Sequence, residues 1–247
     1  MNFDPLSTNY VRFFRSVYSC TEDSEYPVQR LGSGTVVAYE GEFYLITARH
    51  LFENIATNPT KVIVSFPTSG TDWWPTDACM HLDVSSLFAD DNTFGDLAVY
   101  SLYTEACLRS SISDHDFLPF PCATHFEAGL ILYAFGYPDV EFDMDLDRRQ
   151  HILTAVLVEG LYGGQTNFRG IHKFTSAHLP TDSNGMSGGP VTYLDNGRMG
   201  RHLLAGIIVQ GGEELLHFID ANMVREALLF SIPRLRELRR NGPFLTE

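Results

Sequence analysis

The chain carries at residues 182–190 the sequence Asp-Ser-Asn-Gly-Met-Ser-Gly-Gly-Pro. Its serine, Ser187, stands among glycines and polar turn residues, which favour an exposed turn over a packed core. Glycines lack a Cβ atom and allow backbone conformations that other residues avoid, so the amides of Gly185 and Ser187 could point at one spot beside the Ser187 hydroxyl. Acyl transfer requires such a nucleophile next to an oxyanion hole. The alternative is a glycine-rich hairpin turn with an incidental serine.

The chain offers a base and a carboxylate for this serine. A serine hydroxyl is a weak nucleophile at neutral pH, so it needs a general base, and the base needs an orienting carboxylate. The candidate base is His50, which follows the apolar strand 43–48 and is predicted to lie on a short helical turn. The candidate carboxylate is Asp96; Asp90 and Asp91 are rivals, but only Asp96 adjoins an apolar strand that would bury it.

Three motifs around these residues resemble those of the chymotrypsin-like (trypsin-fold) serine peptidases, in particular the shorter bacterial and intracellular members. The motifs are Thr47-Ala48-Arg49-His50, Asp96-Leu97-Ala98-Val99 and Gly185-Met186-Ser187-Gly188-Gly189-Pro190. They stand in the family's order, with 46 residues from His50 to Asp96 and 91 residues from Asp96 to Ser187. The resemblance extends over roughly residues 32–220.

The resemblance implies an all-β fold of two Greek-key six-stranded β-barrels, with the site between them and a C-terminal helix. It implies a serine endopeptidase in which Ser187 attacks the scissile carbonyl, His50 transfers the proton and Asp96 orients His50. The amides of Gly185 and Ser187 would hold the oxyanion, and neither a cofactor nor a metal is expected. Two other functions stay open: a catalytically silent module that binds peptides in the same cleft, and an esterase that uses the same triad.

The residues that the resemblance assigns to substrate binding are Thr181, Asp182, Val209, Gln210, Gly211 and His217. Residues 206–212 resemble the strand on which these peptidases pair with the backbone of a polypeptide substrate. Thr181 stands where trypsin has its aspartate, so a preference for Arg or Lys does not carry over. Asp182 could still attract a cation, whereas His217 could instead bind an acidic side chain.

The strand and turn pattern divides the chain into five parts. Residues 1–31 form a leader that packs on the barrels; its aromatic residues have helical spacing, although Val17–Cys20 could equally begin the first strand. Residues 32–110 form the first barrel, 111–128 the crossover and 129–220 the second barrel. Residues 221–247 form two helices, the second restarting at Ser231 and Pro233. The arginines expected to face outward on it are Arg234, Arg236, Arg239 and Arg240.

Acidic residues alternate with apolar ones from Asp139 to Asp147, a period of two that places the carboxylates on one face of a strand. Such a strand is either a solvated edge whose like charges deter pairing with another chain, or a lip beside the site that attracts basic substrate residues. Met186 stands before the nucleophile, where zymogen-type family members have an aspartate. Activation by amino-terminal cleavage is therefore not expected, and the alternatives are control by a regulatory protein partner, by a ligand or by folding of the loop itself.

Composition and charge indicate which cellular compartment and which classes of partner to expect for the protein. Of its 247 residues, 44% are hydrophobic and 19% are charged, which is typical of a globular chain. The net charge of −14 repels phosphate backbones, so no nucleic-acid partner is expected. No apolar run reaches the roughly 20 residues of a membrane span, and the start lacks a signal-peptide pattern. The 4 scattered cysteines show no zinc-ligand spacing and favour reduced thiols in the cytoplasm, the alternative being one or two disulfides in an exported protein.

Overall fold

A computed structural model describes the chain at residues 13–22, 28–53, 61–65, 73–82, 96–103, 116–122, 125–139, 142–145, 150–195, 201–212 and 214–241. Residues 1–12 of the predicted leader and 104–115, which include part of the predicted crossover, lie outside these ranges, as do the rival carboxylates Asp90 and Asp91. None of the helical segments within the ranges could cross a membrane.

The first barrel consists of six strands: β1 (Phe14–Cys20), β2 (Val28–Tyr39), β3 (Glu42–Ala48), β4 (Val62–Ser65), β5 (Trp73–Leu82) and β6 (Leu97–Leu102). They follow the order β1-β4-β5-β6-β3-β2 with antiparallel neighbours, and β1 pairs with β2 to close the barrel. In the predicted crossover, β7 (Leu118–Pro119) pairs in parallel with β2.

β1 differs from the predicted helical leader, because Phe14–Cys20 is a strand of the first barrel, and the alternative of a first strand at Val17–Cys20 is the one found. The spacing of apolar residues that suggested a helix arises because both faces of this strand are buried. Val17 packs inside the barrel, whereas Phe14 packs against residues of the second barrel, so both faces of the strand are buried. A strand buried on both faces loses the alternation that identifies most strands in a sequence.

The second barrel begins with β8 (Ile131–Gly136), after which β9 (Phe142–Asp145) and β10 (Gln150–Leu153) form a separate two-stranded hairpin. The other barrel strands are β11 (Val156–Gln165), β12 (Ile171–Thr175), β13 (Pro190–Leu194), β14 (His202–Gly211) and β15 (Leu215–Asp220). They close in the order β11-β12-β15-β14-β13-β8. The predicted pair of closed six-stranded barrels is confirmed.

The acidic alternation predicted as a strand falls partly on β9, whose ladder partner is β10. Residues 140–141 and 146–149 lie outside the described ranges. The choice between a solvated edge and a lip that attracts basic residues stays a prediction.

The hairpin of β2 and β3 turns at Glu40 and Gly41. Both residues have positive φ, 51° at Glu40 and 80° at Gly41. A two-residue turn with positive φ at both positions matches the right-handed twist of the strands that it connects. The turn fixes the register of β3 and therefore the position at which β3 delivers His50.

A single helix, α1 (Ala221–Asn241), ends the described chain and replaces the two predicted helices. Pro233 lacks an amide hydrogen and was expected to start a new helix. The helix continues because Ile232 and Leu235, on either side of Pro233, are buried in the core, and Ser231 donates a hydrogen bond of 2.7 Å to the Ala227 carbonyl. Packing therefore overrides the local preference of proline.

Two of the arginines predicted to face outward instead hold α1 to the first barrel. Arg236 donates to Glu40 at 2.9 Å, and Arg239 reaches Glu42 at 2.8 Å and Asp77 at 3.0 Å. The β2–β3 turn and β5 thus present an acidic surface to a basic stretch of helix. Arg234 and Arg240 are exposed, so the basic run is in part a contact within the molecule and in part a solvated face.

Three groups of buried apolar residues hold the fold together. One fills the first barrel around Leu45 and Trp74, and another fills the second barrel around Phe174 and Phe218. The largest lies between the two barrels and under α1, where it includes Phe135. This shared core joins the barrels, and the candidate site lies at its edge.

Candidate active site

His50 and Asp96 lie at the ends of two neighbouring strands of the first barrel. Ala48, the last residue of β3, pairs with Leu97, the first residue of β6, in an antiparallel ladder. The 3₁₀ turn Arg49–Phe52 follows β3, so His50 comes directly over the residue that precedes β6. The ladder register therefore brings together two residues that are 46 positions apart in the chain.

Asp96 contacts His50 with both of its carboxylate oxygens. Oδ1 accepts a hydrogen bond of 2.8 Å from the His50 backbone amide, and Oδ2 lies 2.5 Å from the ring Nδ1. Asp96 is 5% exposed, whereas the His50 side chain is 37% exposed. Because a carboxylate accepts, Nδ1 carries a proton, and in the neutral ring Nε2 is the free base.

The pKa of His50 is raised above its ordinary value of 6.5. The hydrogen bond to Asp96 is the largest cause, burial of the ring opposes it, and the charges of Asp96 and Glu53 add to it. A raised pKa makes the neutral imidazole a stronger base than a free histidine, which suits a group that must accept a proton from a hydroxyl.

Ser187 lies on residues 183–189, hereafter the serine loop. Gly185 and Gly188 have positive φ of 85° and 87°, which favours glycine. At Gly188 a Cβ atom would lie 2.0 Å from the Ser33 carbonyl oxygen and 2.3 Å from Thr47 Oγ1, so no side chain fits there. Glycine is thus required at 185 and 188 by backbone conformation, and at 188 also by the closeness of the first barrel.

Ser33 and Thr35 on β2 tie the serine loop to the first barrel. The Ser33 amide donates to the Ser187 carbonyl at 3.0 Å, and its hydroxyl donates to the Gly185 carbonyl at 2.6 Å. The Thr35 hydroxyl donates to the Gly188 carbonyl at 3.0 Å. Three carbonyl groups of the loop therefore face β2, which leaves the opposite side of the backbone for other contacts.

The same contacts bring Ser187 close to the histidine turn. Thr47, three residues before His50, donates to the Ser33 carbonyl at 2.7 Å. A Cβ atom on Gly32 would lie 2.8 Å from Leu51 Cδ1 and 3.3 Å from the Ser187 carbonyl oxygen. Leu51 directly follows His50, so Ser187 and the turn that bears His50 are neighbours across Gly32.

The amides assigned by resemblance to the oxyanion hole point away from two bonded carbonyls. The Asn184 carbonyl accepts from the Asp139 amide at 2.8 Å, and the Met186 carbonyl accepts from the Gly189 amide at 2.9 Å. In a planar trans peptide the C=O and the following N–H point in opposite directions. The N–H groups of Gly185 and Ser187 therefore point away from these partners, and within the described ranges neither has an acceptor.

The residues assigned to substrate binding are placed as follows. Thr181 is exposed, and Asp182 accepts a hydrogen bond of 2.9 Å from the Asn184 amide, so its carboxylate is already used within the turn. Val209 packs in the core between the barrels, which leaves only its backbone for a substrate. The exposed Gln210 and Gly211 follow it on β14.

His217 lies on the outer face of the second barrel. Its neighbours along β15, Leu216 and Phe218, are buried inside the barrel, so the alternation of a strand directs His217 outward. Its cross-strand partners are Gln210 and Lys173. Burial and the charge of Lys173 lower the pKa of His217, which disfavours the cationic form. Of the two candidate polar residues, His217 lies beside Gln210. The carboxylate of Asp182 bonds to the Asn184 amide within its own turn.

Sequence reasoning missed the residues that hold the serine loop, chiefly Ser33, Thr35 and Arg30. Arg30 pairs with Asp139 and donates to the Tyr137 carbonyl. The signal for Ser33 was present, since small residues at 32–34 indicate a close approach of another chain segment. Arg30 gave no signal, because Tyr137 and Asp139 stand more than 100 residues away from it. Within the parts of the chain that are described, no group of three or more His, Cys, Asp or Glu residues could hold a metal ion.

The trypsin-like peptidase domain is the family whose model matches this chain, over residues 32–199. No curated protein matches the sequence. The family match spans more than half of the chain, and it includes all three motifs and most of both barrels. The chain therefore belongs to the family of trypsin-like peptidase domains.

Proposed function

We propose that the protein is a serine endopeptidase whose catalytic residues are His50, Asp96 and Ser187. The observation that carries the proposal is the contact between His50 and both oxygens of buried Asp96, beside a loop that presents a serine. Membership of the trypsin-like peptidase family supports a polypeptide substrate. The proposal goes further than the family in assigning the residues and their roles.

Each residue has a defined part in the proposed reaction. His50 Nε2 accepts the hydroxyl proton of Ser187 while Ser187 Oγ forms a bond to the scissile carbonyl carbon. The amides of Gly185 and Ser187 hydrogen-bond the resulting oxyanion. Collapse breaks the C–N bond, and the amine leaves with the proton from His50. Water, activated by His50, then hydrolyses the acyl-serine ester and releases the acid and free Ser187.

The unpaired side of β14 supports an extended peptide as the substrate. β14 pairs with β13 as far as Ile207, and the backbone of Ile208 bonds to Gly188 and Gly189. Beyond that point, among the described residues, Gln210 and Gly211 pair only with β15. A peptide added along this free edge would gain main-chain hydrogen bonds without a requirement for sequence.

The decisive experiment is covalent labelling with a fluorophosphonate probe. The wild type, Ser187→Ala and His50→Ala would be compared, together with cleavage of a peptide library. We expect labelling and peptide cleavage by the wild type and neither by the two variants. A folded wild type that is not labelled would contradict the proposal.

The two alternative functions give different results in the same assays. A peptide-binding module would keep its affinity for peptides after Ser187→Ala and would release no new amino termini. An esterase would hydrolyse small acyl esters in a manner that depends on Ser187 but would leave polypeptides intact. Either result would replace the endopeptidase proposal.

We also propose a cytoplasmic location, supported by Cys20 and Cys79, which are thiols and not disulfides. Burial raises the pKa of the Cys79 thiol to about 11, so it has little tendency to react. Fractionation of cells that produce a tagged chain would test the location. The regulatory protein partner stays a prediction.

A further inference from the structure

Arg30 is a buried cation of the first barrel that reaches across to the second. It lies on β2, and its side chain is 7% exposed. Nε donates to Ser16 Oγ at 3.3 Å within the first barrel. The two terminal nitrogens bind outside it, one to the Tyr137 carbonyl and the other to the carboxylate of Asp139. Three directions of the guanidinium are thus occupied, which fixes its plane.

Residues 137–139, hereafter the bridge segment, lie between Arg30 and the serine loop. The Tyr137 amide donates to Ser33 Oγ at 2.9 Å, and the Asp139 amide donates to the Asn184 carbonyl at 2.8 Å. A Cβ atom on Gly185 would lie 2.5 Å from the Tyr137 carbonyl oxygen and 2.6 Å from Arg30 Nη2. Gly185 therefore rests directly on the bridge segment and the guanidinium that holds it.

The direction of the Gly185 amide depends on this contact. The Asn184 carbonyl and the Gly185 N–H belong to one peptide plane and point in opposite directions. As long as the Asp139 amide holds the Asn184 carbonyl, the Gly185 N–H must point to the other side, where the oxyanion is proposed to form. Rotation of this peptide would turn the donor away and direct a carbonyl oxygen at the oxyanion.

The serine loop has no charged side chain of its own that could resist this rotation. Met186, between Gly185 and Ser187, is fully buried among apolar residues of the second barrel. Its packing anchors the loop on one side, but an apolar side chain gives the preceding peptide no preferred direction. The buried guanidinium and the bridge segment supply that direction.

We propose that Arg30 is a positioning residue that, through the bridge segment, keeps the Gly185 amide directed at the oxyanion. The proposal rests on the proposed peptidase function for its catalytic consequence. Arg30 touches neither the substrate nor the reacting atoms. Its effect is on the oxyanion hole and not on the His50–Asp96 pair, and this difference makes it testable.

The first test compares Arg30→Gln with Arg236→Gln. Both changes remove a guanidinium that pairs with a carboxylate, but Arg236 lies on α1, and its side-chain bonds to described residues outside α1 go to Glu40 and Glu42 of the first barrel. Loss of one oxyanion donor costs on the order of 10²–10³ in kcat, and we expect a misdirected donor to cost about 10–100-fold. KM and the acid limb of the pH–rate profile should stay unchanged, Arg30→Lys should be intermediate, and Arg236→Gln should keep the wild-type kcat.

The second test observes the Gly185 amide without any reaction. The sequence has 3 Asn–Gly pairs, so labelling with ¹³C′-asparagine and ¹⁵N-glycine gives three selective NMR signals. Gly197→Ala and Gly242→Ala each remove one of them and thereby assign Gly185. We expect the Gly185 signal to shift or broaden in Arg30→Gln and to stay in place in Arg236→Gln.

The two tests separate failure of this inference from failure of the proposed function. An unmoved Gly185 signal in folded Arg30→Gln would overturn the inference, whatever happens to kcat. A moved signal with wild-type kcat in an active enzyme would also overturn it. If the wild type neither reacts with the probe nor cleaves peptides, the proposed function fails, and the Gly185 signal still decides whether Arg30 sets the direction of this peptide.

Discussion

Asp96 uses its two oxygens for two different donors, the backbone amide and the ring of His50. An asparagine of the same shape can satisfy only one of them. If its oxygen accepts from the backbone amide, its NH₂ group faces Nδ1 and forces that nitrogen to be the acceptor. The proton then moves to Nε2, where a base is needed, so the residue type matters as much as its position.

Asp96→Asn is therefore expected to lower kcat on the order of 10⁴-fold, the size of the loss in a well-studied triad. In the wild type, kcat/KM should rise with pH through a pKa above 6.5, because Asp96 raises the pKa of His50 and only the neutral ring is a base. The residual activity of the variant should also rise with pH, but its midpoint should lie at a lower pH than that of the wild type. A pH–rate profile of both proteins measures this, and a wild-type midpoint at or below 6.5 would contradict it.

Ser33 is the polar residue on which the serine loop depends most. It is fully buried, and its hydroxyl both donates to Gly185 and accepts from Tyr137. Ser33→Ala should reduce the free energy of unfolding by about 1–3 kcal/mol, because it leaves a buried carbonyl and a buried amide without partners. Urea denaturation measures the loss.

The control for this experiment is Ser65→Ala, which removes one long hydrogen bond of 3.5 Å from a half-buried serine. We expect it to change stability by less than about 0.5 kcal/mol. Ser33→Ala should also lower kcat, since the Gly185 carbonyl loses its partner. Equal stability of the two variants would show that Ser33 is not an anchor of the loop.

At the scale of elements, the sequence predicts those parts of the molecule whose information is local. The β2–β3 hairpin, the turn that bears His50 and the glycine-rich serine loop each depend on a few adjacent residues, and each is found where its motif stands. The pairing of Arg30 with Asp139 could not be predicted, because the two residues are 109 positions apart and either charge could equally lie exposed on the surface. The arginines of α1 were misplaced for the same reason, since the helix pattern shows an apolar face but not the acidic surface beside it.

Pro233 offers a test of how tertiary packing overrides local preference in α1. Its ring removes an amide hydrogen bond from an otherwise continuous helix, and its side chain is exposed. Proline costs roughly 3 kcal/mol relative to alanine in a helix, and part of this is recovered because proline also restricts the unfolded chain. Pro233→Ala should therefore raise the free energy of unfolding by about 1–2 kcal/mol in urea denaturation.

Glu237→Ala is the matched control for Pro233→Ala, since Glu237 is exposed on the same helix. We expect a change within about 0.5 kcal/mol. If Pro233→Ala is no more stable than the wild type, then alanine at 233 gains no helical hydrogen bond, and the helix is interrupted at this residue. That result would favour the two helices expected from the sequence.

At the scale of the whole molecule, the two barrels share one apolar core, and a histidine lies within it. His202, at the start of β14, is 7% exposed and contacts the rings of Phe13 and Phe135, with centroids 5.7 and 5.4 Å away. Its Nδ1 pairs with Thr192 Oγ1 at 2.8 Å. Phe13 bonds to β2 through its carbonyl, so the ring of His202 packs where the first barrel meets the second.

Burial lowers the pKa of His202 from 6.5 to about 4, so the folded protein holds this ring neutral where the unfolded chain would protonate it. Between these pH values the unfolded state binds more protons, and stability therefore falls as pH decreases from 6.5 to 4. The contribution of His202 to this fall should be about 3 kcal/mol. Urea denaturation across this pH range should show a shallower fall for His202→Gln than for the wild type, whereas His178→Gln, at an exposed histidine, should follow the wild type. Identical slopes for His202→Gln and the wild type would mean that the protonation of His202 does not cause this fall in stability, and that other groups set the acid stability of the protein.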